Sequence, residues 1–216
     1  MILNIKRFSS LVALLLFINC GFAQKFYAGS ITKISGEVIT GYLSLPKSTT
    51  DKSIDFKESE KSKEREIKSD SIRLVSIHTK GGSTSSLERI QVTKKEKGYA
   101  ILLIEGFANL YLAGEGVSVN KEGKFSPYSS FVSGRDLPTF SYLALRKNEK
   151  VASIIAVTSN APTVFGLNNT FRVYASKYFS DYPELVKRID NKEFTHDDVE
   201  KVVKIYNKHM VENQEN

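Results

Sequence analysis

Between Lys25 and Thr158, apolar and polar residues alternate with a period of two, in short runs separated by Gly, Ser, Asn and Lys. Such alternation is typical of β-strands that have one buried and one exposed face. Two runs, 101–104 and 154–157, are apolar throughout and predict central strands covered on both faces. The pattern predicts strands at residues 26–34, 37–45, 53–57, 71–79, 85–93, 99–105, 107–113, 142–146 and 152–157.

The first two predicted strands are joined by Ser35-Gly36. A two-residue loop fits this position because glycine tolerates the positive φ that tight hairpin turns require. The resulting register places Gly29 opposite Tyr42, whose ring would cover the gap that a glycine leaves in a sheet. Residues 113–138, which are rich in Gly, Ser and Lys, predict a long loop or an irregular hairpin.

After residue 168 the apolar positions recur every three or four residues, which is typical of helices. Asn169 or Thr170 would cap a first helix, and Asp181 would cap a second. Pro183 fits the first turn of that second helix because proline lacks the amide hydrogen that is unpaired there.

Thr195 and Asp198 have the spacing of a capping box and predict the start of a third helix. Its apolar stripe consists of Val199, Val202, Val203, Tyr206 and Met210. An isolated helix of this length is marginal in water, so the stripe predicts docking on the sheet. The expected fold class is α+β. An antiparallel β-rich domain at 24–160, either a sandwich or an open barrel, is followed by about three helices within 161–216.

The N-terminus has the pattern of a secretory signal peptide. Two basic residues precede an apolar run at 11–18, which is too short for a permanent membrane anchor, and small residues follow at Gly21 and Ala23. We therefore expect residues 1–23 to be removed and the working chain to begin at Gln24. The product would be periplasmic or extracellular, or associated with the outer membrane.

Cys20 is the only cysteine. A rival interpretation makes it a lipidated anchor, but the bulky residues just before it fit a lipoprotein signal poorly. Cleavage after Ala23 would leave a mature chain without cysteine, which excludes disulfides, thiolate zinc sites and cysteine nucleophiles.

The charge pattern argues against two classes of protein. Removal of Lys6 and Arg7 lowers the formal charge from +7 to +5, and lysines alternate with acids at 57–66, which predicts a solvated loop or hairpin tip. A nucleic-acid groove would need clustered, unopposed positive charge, so no nucleic-acid partner is expected. No later apolar stretch approaches 18 residues, so no transmembrane segment is expected in the mature chain.

Few residues suggest chemistry. His78, His196 and His209 lack the spacing of a zinc site. The glycine-rich stretch 81–86 has no lysine at the phosphate-binding position and predicts a hairpin turn. We therefore predict no catalytic residue, no cofactor-binding residue, no metal ligand and no cofactor.

Serine nucleophiles are weakly supported. Ser-x-x-Lys begins at Ser30, Ser44 and Ser118, but a serine acyltransferase needs its serine at a helix start beside a second basic group. Ser30 and Ser44 fall inside predicted strands, so these matches are attributed to chance.

Four segments carry a resemblance to a known family. Ser35-Gly-Glu-Val-Ile-Thr-Gly-Tyr-Leu43 resembles the opening strand-turn-strand of a family of uncharacterised exported proteins of Gram-negative bacteria. The segments 103–111, 182–189 and 203–207 are similar, in the same order, to its mid-chain strand pair and its last two helices.

The sequence departs from the family pattern at Ser35 and Glu37 in the turn, and at Tyr182, where cysteine is usual. The resemblance implies a periplasmic or envelope-associated product and supplies no active site.

The expected function is therefore a non-catalytic, exported binding or structural module of the cell envelope. Its partner would be an unidentified envelope protein or a glycan. The alternative is an extracytoplasmic hydrolase that uses carboxylate chemistry. Two close carboxylates with shifted pKa values in a deep pocket would favour the hydrolase, whereas a tyrosine-rich patch or an exposed strand edge would favour binding.

Overall fold

The computed structural model of the 216-residue chain describes residues 25–128, 139–159 and 165–213. The strands lie between Phe26 and Ser159, and the α-helices begin at Leu167. The predicted α+β class is therefore confirmed. The expected signal peptide, residues 1–23, and its cleavage site lie outside the described residues. None of the helices in the described ranges has the length and apolar character needed to cross a membrane.

Ten strands form one antiparallel sheet in the order β12-β11-β8-β7-β6-β5-β1-β2-β3-β4, and β9 pairs with β10. The strands are β1 (Phe26–Lys33), β2 (Val38–Ser44), β3 (Ser53–Lys57), β4 (Arg65–Lys68), β5 (Ile72–His78), β6 (Thr84–Gln91), β7 (Lys97–Ile104), β8 (Ala108–Ala113), β9 (Gly116–Val119), β10 (Phe125–Tyr128), β11 (Thr139–Arg146) and β12 (Ser153–Ser159). The helices are α1 (Leu167–Tyr178), α2 (Pro183–Asp190) and α3 (Val199–Glu212).

The β1–β2 hairpin has the predicted positive φ at Gly36, which is 90°. Its loop contains three residues, 34–36, and the predicted two-residue loop is wrong. The Gly36 amide donates to the Lys33 carbonyl oxygen at 3.0 Å, and the Lys33 amide donates to the Glu37 carbonyl oxygen at 2.8 Å. This is a turn followed by a left-handed glycine, an arrangement that adds one residue to the loop.

The longer loop moves the register by one residue. Gly29 lies opposite Gly41, and Tyr42 lies opposite Ala28, so the predicted Gly29–Tyr42 pair is wrong. An aromatic ring still covers a strand glycine, because a Cβ at Gly41 would lie 2.8 Å from Cζ of Phe56. Both the glycine and the ring thus differ from the predicted pair.

Strands β1 to β7 curl into a partly open barrel. The Tyr99 amide on β7 donates to the Thr49 carbonyl oxygen at 2.8 Å, and the Tyr99 hydroxyl donates to Ser69 Oγ at 2.8 Å. These bonds join β7 to Thr49, which precedes β3, and to Ser69, which follows β4. In a flat sheet of this strand order, β3 and β4 would lie far from β7. The barrel core includes Ile31, Leu43, Ile54, Phe56, Val75, Ile77, Leu87 and Ile101.

The β9–β10 hairpin covers this core, with Val117 and Phe125 packed into it. The Phe125 amide donates to the buried Ser85 hydroxyl at 2.9 Å, which ties the hairpin to β6. The predicted irregular hairpin within 113–138 is thus confirmed for its described part, and residues 129–138 lie outside the described residues.

One of the two predicted central strands is at an edge. β7, with the run 101–104, lies in the middle of the sheet as predicted. β12, with the run 154–157, lies at one edge of the sheet, and Ile154 is 48% exposed. Ile155 and Ala156 are buried with the helices instead. A run of apolar residues does not distinguish these cases, because a helix can bury one face of an edge strand.

Helix α1 begins earlier than predicted. It follows Gly166, whose φ is 83°, and it has no side-chain cap. The predicted caps at Asn169 and Thr170 are therefore wrong, since both residues lie inside the helix. Asn169 Oδ1 instead accepts a hydrogen bond from Arg172 Nη2 at 3.3 Å.

Helix α2 begins with Pro183 in its first turn, as predicted. Asp181 does not cap it, because its carboxylate accepts hydrogen bonds from Arg146 at 3.0 Å and from the Tyr206 hydroxyl at 2.8 Å. The predicted cap is wrong because a tertiary partner holds the carboxylate.

Helix α3 agrees with the prediction. Both hydrogen bonds of the Thr195–Asp198 capping box are present, on a 3₁₀ turn that leads into the helix. Met210 is only partly buried, while the other four residues of the stripe are buried, and the helix packs against β7 and β8. The helical tail is therefore docked on the sheet, with Lys204 and Lys208 on the exposed side.

Candidate functional site

A cleft of about 700 Å³ opens beside the barrel, between β4 and the connection from β6 to β7. Five of its lining side chains are basic and three are acidic, a balance of +2. The lining residues are Thr50, Lys52, Glu66, Lys68, Asp70, Arg89, Gln91, Lys95, Glu96 and Lys97.

Local hydrogen bonds fix the wall that leads into β3. The Asp51 carboxylate accepts hydrogen bonds from the Lys47 amide and from the Ser48 hydroxyl, the latter at 3.0 Å, and so holds the loop closed. The Ser69 amide donates to the Lys52 carbonyl oxygen at 2.7 Å. Lys52 and the end of β4 are thereby held side by side at the mouth of the cleft.

Arg89 forms the floor of the cleft, and only 8% of its side chain is exposed. Its Nη2 donates to Asp70 Oδ1 at 3.0 Å, and its Nη1 lies 3.4 Å from the Asp51 carbonyl oxygen. The guanidinium carbon lies 5.3 Å from the centre of the Tyr99 ring. Burial raises the pKa of Tyr99, so this ring is neutral at physiological pH and its hydroxyl remains a donor to Ser69.

Arg89 Nε is buried and has no hydrogen-bond partner within the described part of the chain. A buried donor without a partner costs about 1–3 kcal/mol, and more when the group is charged. The residue that pairs with the neighbouring Nη2, Asp70, has an 88% exposed side chain. Arg89 is thus a nearly buried cation held by one exposed carboxylate, with part of its donor capacity unused.

The other four basic side chains of the cleft are exposed lysines, and none forms an ion pair with any described residue. The five basic side chains outnumber the three acidic ones, so the cleft has an excess of positive charge that attracts anions. The cleft therefore combines a nearly buried arginine at its floor with exposed lysine ammonium groups at its rim.

A second cluster surrounds Arg146 at the junction of the sheet and the helices. The guanidinium donates to Glu149 at 3.0 Å, to Asp181 at 3.0 Å, to the Tyr206 hydroxyl at 2.8 Å and to the Tyr178 carbonyl oxygen at 2.6 Å. It also lies 4.2 Å from the centre of the Tyr178 ring.

The two tyrosines of this cluster donate to carboxylates. The Tyr178 hydroxyl donates to Glu149 at 2.9 Å, and burial together with that carboxylate raises the pKa of Tyr178. Burial raises the pKa of Tyr206 to about 12, and its hydroxyl donates to Asp181. Each of these groups has its partner inside the protein, so this cluster joins the helices to β11.

The three histidines have unrelated surroundings. His78 is exposed at the end of β5, and His196 hydrogen-bonds the Asn168 side chain at 2.7 Å. The His209 ring stacks on Tyr182, with ring centres 3.5 Å apart. The three are not brought together.

The serines and the glycine-rich stretch occupy strands and a turn. Ser44 Oγ accepts from the Asp55 amide at 3.0 Å, and the Ser118 hydroxyl donates to the Ser126 carbonyl oxygen at 3.2 Å. Residues 79–83 form the turn between β5 and β6, with φ of 77° at Gly82, so the predicted hairpin turn is confirmed for residues 81–83, while residues 84–86 begin β6.

Shifted carboxylate pKa values occur in the helical tail. A hydrogen bond from Arg188 lowers the pKa of Glu193, and hydrogen bonds from Thr195 lower the pKa of Asp198. These shifts follow from an exposed ion pair and a capping box, which stabilise the charged carboxylates. A general acid would need a shift in the opposite direction.

Within the described ranges, no group of three or more His, Cys, Asp or Glu side chains is placed to hold a metal ion. The chain was compared with protein-family models, with curated proteins and with solved structures, and none of them matches.

Sequence reasoning missed the cleft because its residues come from three separated segments, 50–52, 66–70 and 89–97. No single segment has a cluster of charges that points to a binding site. One signal was present. Ser85 and Leu87 face the barrel interior, so the period of two places Arg89 on the same inward face. Arginine is almost never fully buried unless it is paired, so an arginine at an inward-facing strand position is unusual and marks a candidate site.

Proposed function

We propose that the chain is an exported, non-catalytic binding module of the cell envelope, and that it binds an anionic glycan in the cleft around Arg89. The observation that carries the proposal is the composition of the cleft, in which four exposed lysines surround a nearly buried arginine. Electrostatic attraction between charged groups strengthens as water is excluded, so a buried arginine gives more specificity than surface lysines alone.

The acidic side chains of the cleft narrow the class of ligand. Glu66, Asp70 and Glu96 share its walls with the five basic residues. A nucleic-acid strand favours a continuous, unopposed positive surface, which these carboxylates interrupt. A glycan with spaced acidic groups fits a site of mixed charge better, because its neutral sugars can lie beside the carboxylates.

Export is supported by the signal-peptide pattern of the first 23 residues and by the resemblance to exported proteins of Gram-negative bacteria. We expect the mature protein from a bacterial host to begin at Gln24 and to carry no lipid. Intact-mass measurement of the secreted fraction tests this directly. A mass corresponding to a diacylated Cys20 would contradict it and would make the protein a membrane-anchored one.

Binding is tested with lipopolysaccharide as the anionic glycan and dextran as the neutral one. We expect the mature chain to bind lipopolysaccharide and not dextran. Lys68→Glu with Lys97→Glu should weaken binding at least about 10-fold, because it reverses two charges at the cleft. Affinity is measured by biolayer interferometry at fixed salt.

The matched control reverses two exposed lysines of the β9–β10 turn, Lys121→Glu with Lys124→Glu. This variant has the same net charge as the cleft variant, so it should bind within about threefold of the parent. Equal losses in both variants would show a dependence on net charge alone. That result, or equal binding to dextran, would contradict a specific site in the cleft.

The alternative, an extracytoplasmic hydrolase, is favoured by one observation, the three carboxylates in the same cleft. In that case a bound polysaccharide would be shortened with time, and Glu66→Gln with Glu96→Gln would stop the release of new reducing ends. Under the binding proposal the amount of reducing ends stays constant over hours.

A further inference from the structure

The donor edge of Arg89 is only half used. Nε and Nη2 lie on the same edge of a guanidinium group and can hold two oxygens of one anion side by side. Asp70 supplies a single oxygen to Nη2, at 3.0 Å, while Nε is buried without a partner. Arginine–carboxylate pairs are frequently bidentate, so the buried Nε without a partner is the feature to explain.

We infer that the cleft recognises a phosphate or sulfate monoester, and that Asp70 occupies the place of its oxyanion when the site is free. This inference rests on the proposed function and specifies which group of the ligand is recognised. The incoming anion displaces the Asp70 carboxylate and gives one oxygen to Nη2 and one to Nε of Arg89.

A tetrahedral oxyanion suits this site better than a carboxylate. Two of its oxygens would use the edge of Arg89, and a third remains for an ammonium group. The unpaired lysines at the rim, of which Lys68 belongs to the strand that leads to Asp70, provide that group. A carboxylate has only two oxygens, so it would repeat what Asp70 already does and leave the lysines without a partner.

Displacement of Asp70 is easy because its side chain is 88% exposed. Once released, the carboxylate is solvated by water, whereas Arg89, whose side chain is 8% exposed in the free protein, loses its carboxylate partner and needs another anion. Asp70 therefore keeps the buried arginine compensated in the free protein and competes with the ligand. This competition favours ligand groups with two negative charges over groups with one, such as a carboxylate.

The experiment uses the full mature chain labelled with ¹⁵N and follows the Arg89 Nε–H signal by NMR. The probes are glucose 6-phosphate, inorganic phosphate, glucuronate, glucose, and vesicles of phosphatidylcholine with or without phosphatidic acid. We expect the signal to shift with glucose 6-phosphate and not with glucose, and to shift less with glucuronate. A shift with inorganic phosphate or with phosphatidic acid vesicles identifies a free or a lipid-borne source of the same group.

Asp70→Asn should bind glucose 6-phosphate about 3- to 10-fold more tightly, because the resident competitor is removed. The matched control is Glu60→Gln, which removes one negative charge from the exposed turn between β3 and β4, outside the cleft, and its affinity should change less than about twofold. Equal tightening in both variants, or weaker binding by Asp70→Asn, overturns the inference.

The outcomes separate the inference from the proposed function. If the cleft variant loses lipopolysaccharide but glucose 6-phosphate never shifts the Arg89 signal, the module binds glycans without this oxyanion site, and the inference fails alone. If the parent binds neither lipopolysaccharide nor glucose 6-phosphate, both fail.

Discussion

Replacing Arg146 with alanine is expected to lower the free energy of unfolding by about 2–4 kcal/mol. The side chain is 16% exposed and joins β11 to Glu149, Asp181, Tyr206 and the Tyr178 carbonyl. Its removal leaves two carboxylates close together without a cation, in surroundings only partly open to water. The expected loss is below that of a fully buried pair because Asp181 is 43% exposed and can recover water.

Urea denaturation of the two proteins checks this prediction through the change in midpoint at constant slope. Arg146→Lys should be almost as unstable, since an ammonium group cannot serve four acceptors in a plane. The matched control is Arg188→Ala on α2. It breaks an exposed ion pair with Glu193, which follows that helix, and it should change the midpoint far less. An Arg146→Ala midpoint as high as that of the control would show that the cluster does not hold the helices.

Patterns with a fixed period were predictable because they depend on neighbours along the chain. The stripe through Val202 and the capping box at Thr195 specify α3 from within fourteen or so residues of sequence. The β1–β2 register was not predictable in this way. Whether Gly36 takes part in a two- or a three-residue loop changes every pairing by one, and both loops accept a glycine with positive φ.

The two arginine sites were beyond local patterns for a different reason. Arg89 meets Asp70 only because the sheet curls, and Arg146 meets Asp181 only because the helices dock. Asp181 was expected to cap α2, and no local pattern links Asp70 to Arg89. Tertiary ion pairs of this kind depend on the assembled fold, so neighbours along the chain do not predict them.

The largest effect is expected from Val202→Asp with Val203→Asp. Both valines are fully buried, in a cluster that also contains Ala108 and Leu110 of β8 and Phe171 of α1. Each buried valine contributes about 1.5–3 kcal/mol, and a buried carboxylate adds a desolvation penalty, so the loss is comparable to a domain's total stability of about 5–15 kcal/mol. Thermal unfolding followed by circular dichroism should show a much lower midpoint, and trypsin should cleave the tail rapidly.

The control for that variant places the same residue type on the same helix, Lys204→Asp with Lys208→Asp. These lysines form exposed ion pairs with Glu200 and Glu212 at 3.7 Å, which contribute about 1 kcal/mol or less each. Valine and aspartate have similar helix propensities whereas lysine is a better helix former, so the lysine variant has the larger propensity cost, and a much lower midpoint in the valine variant is due to burial. If the lysine variant unfolds while the valine variant melts like the parent, α3 packs through its opposite face, and the docked tail described here is wrong.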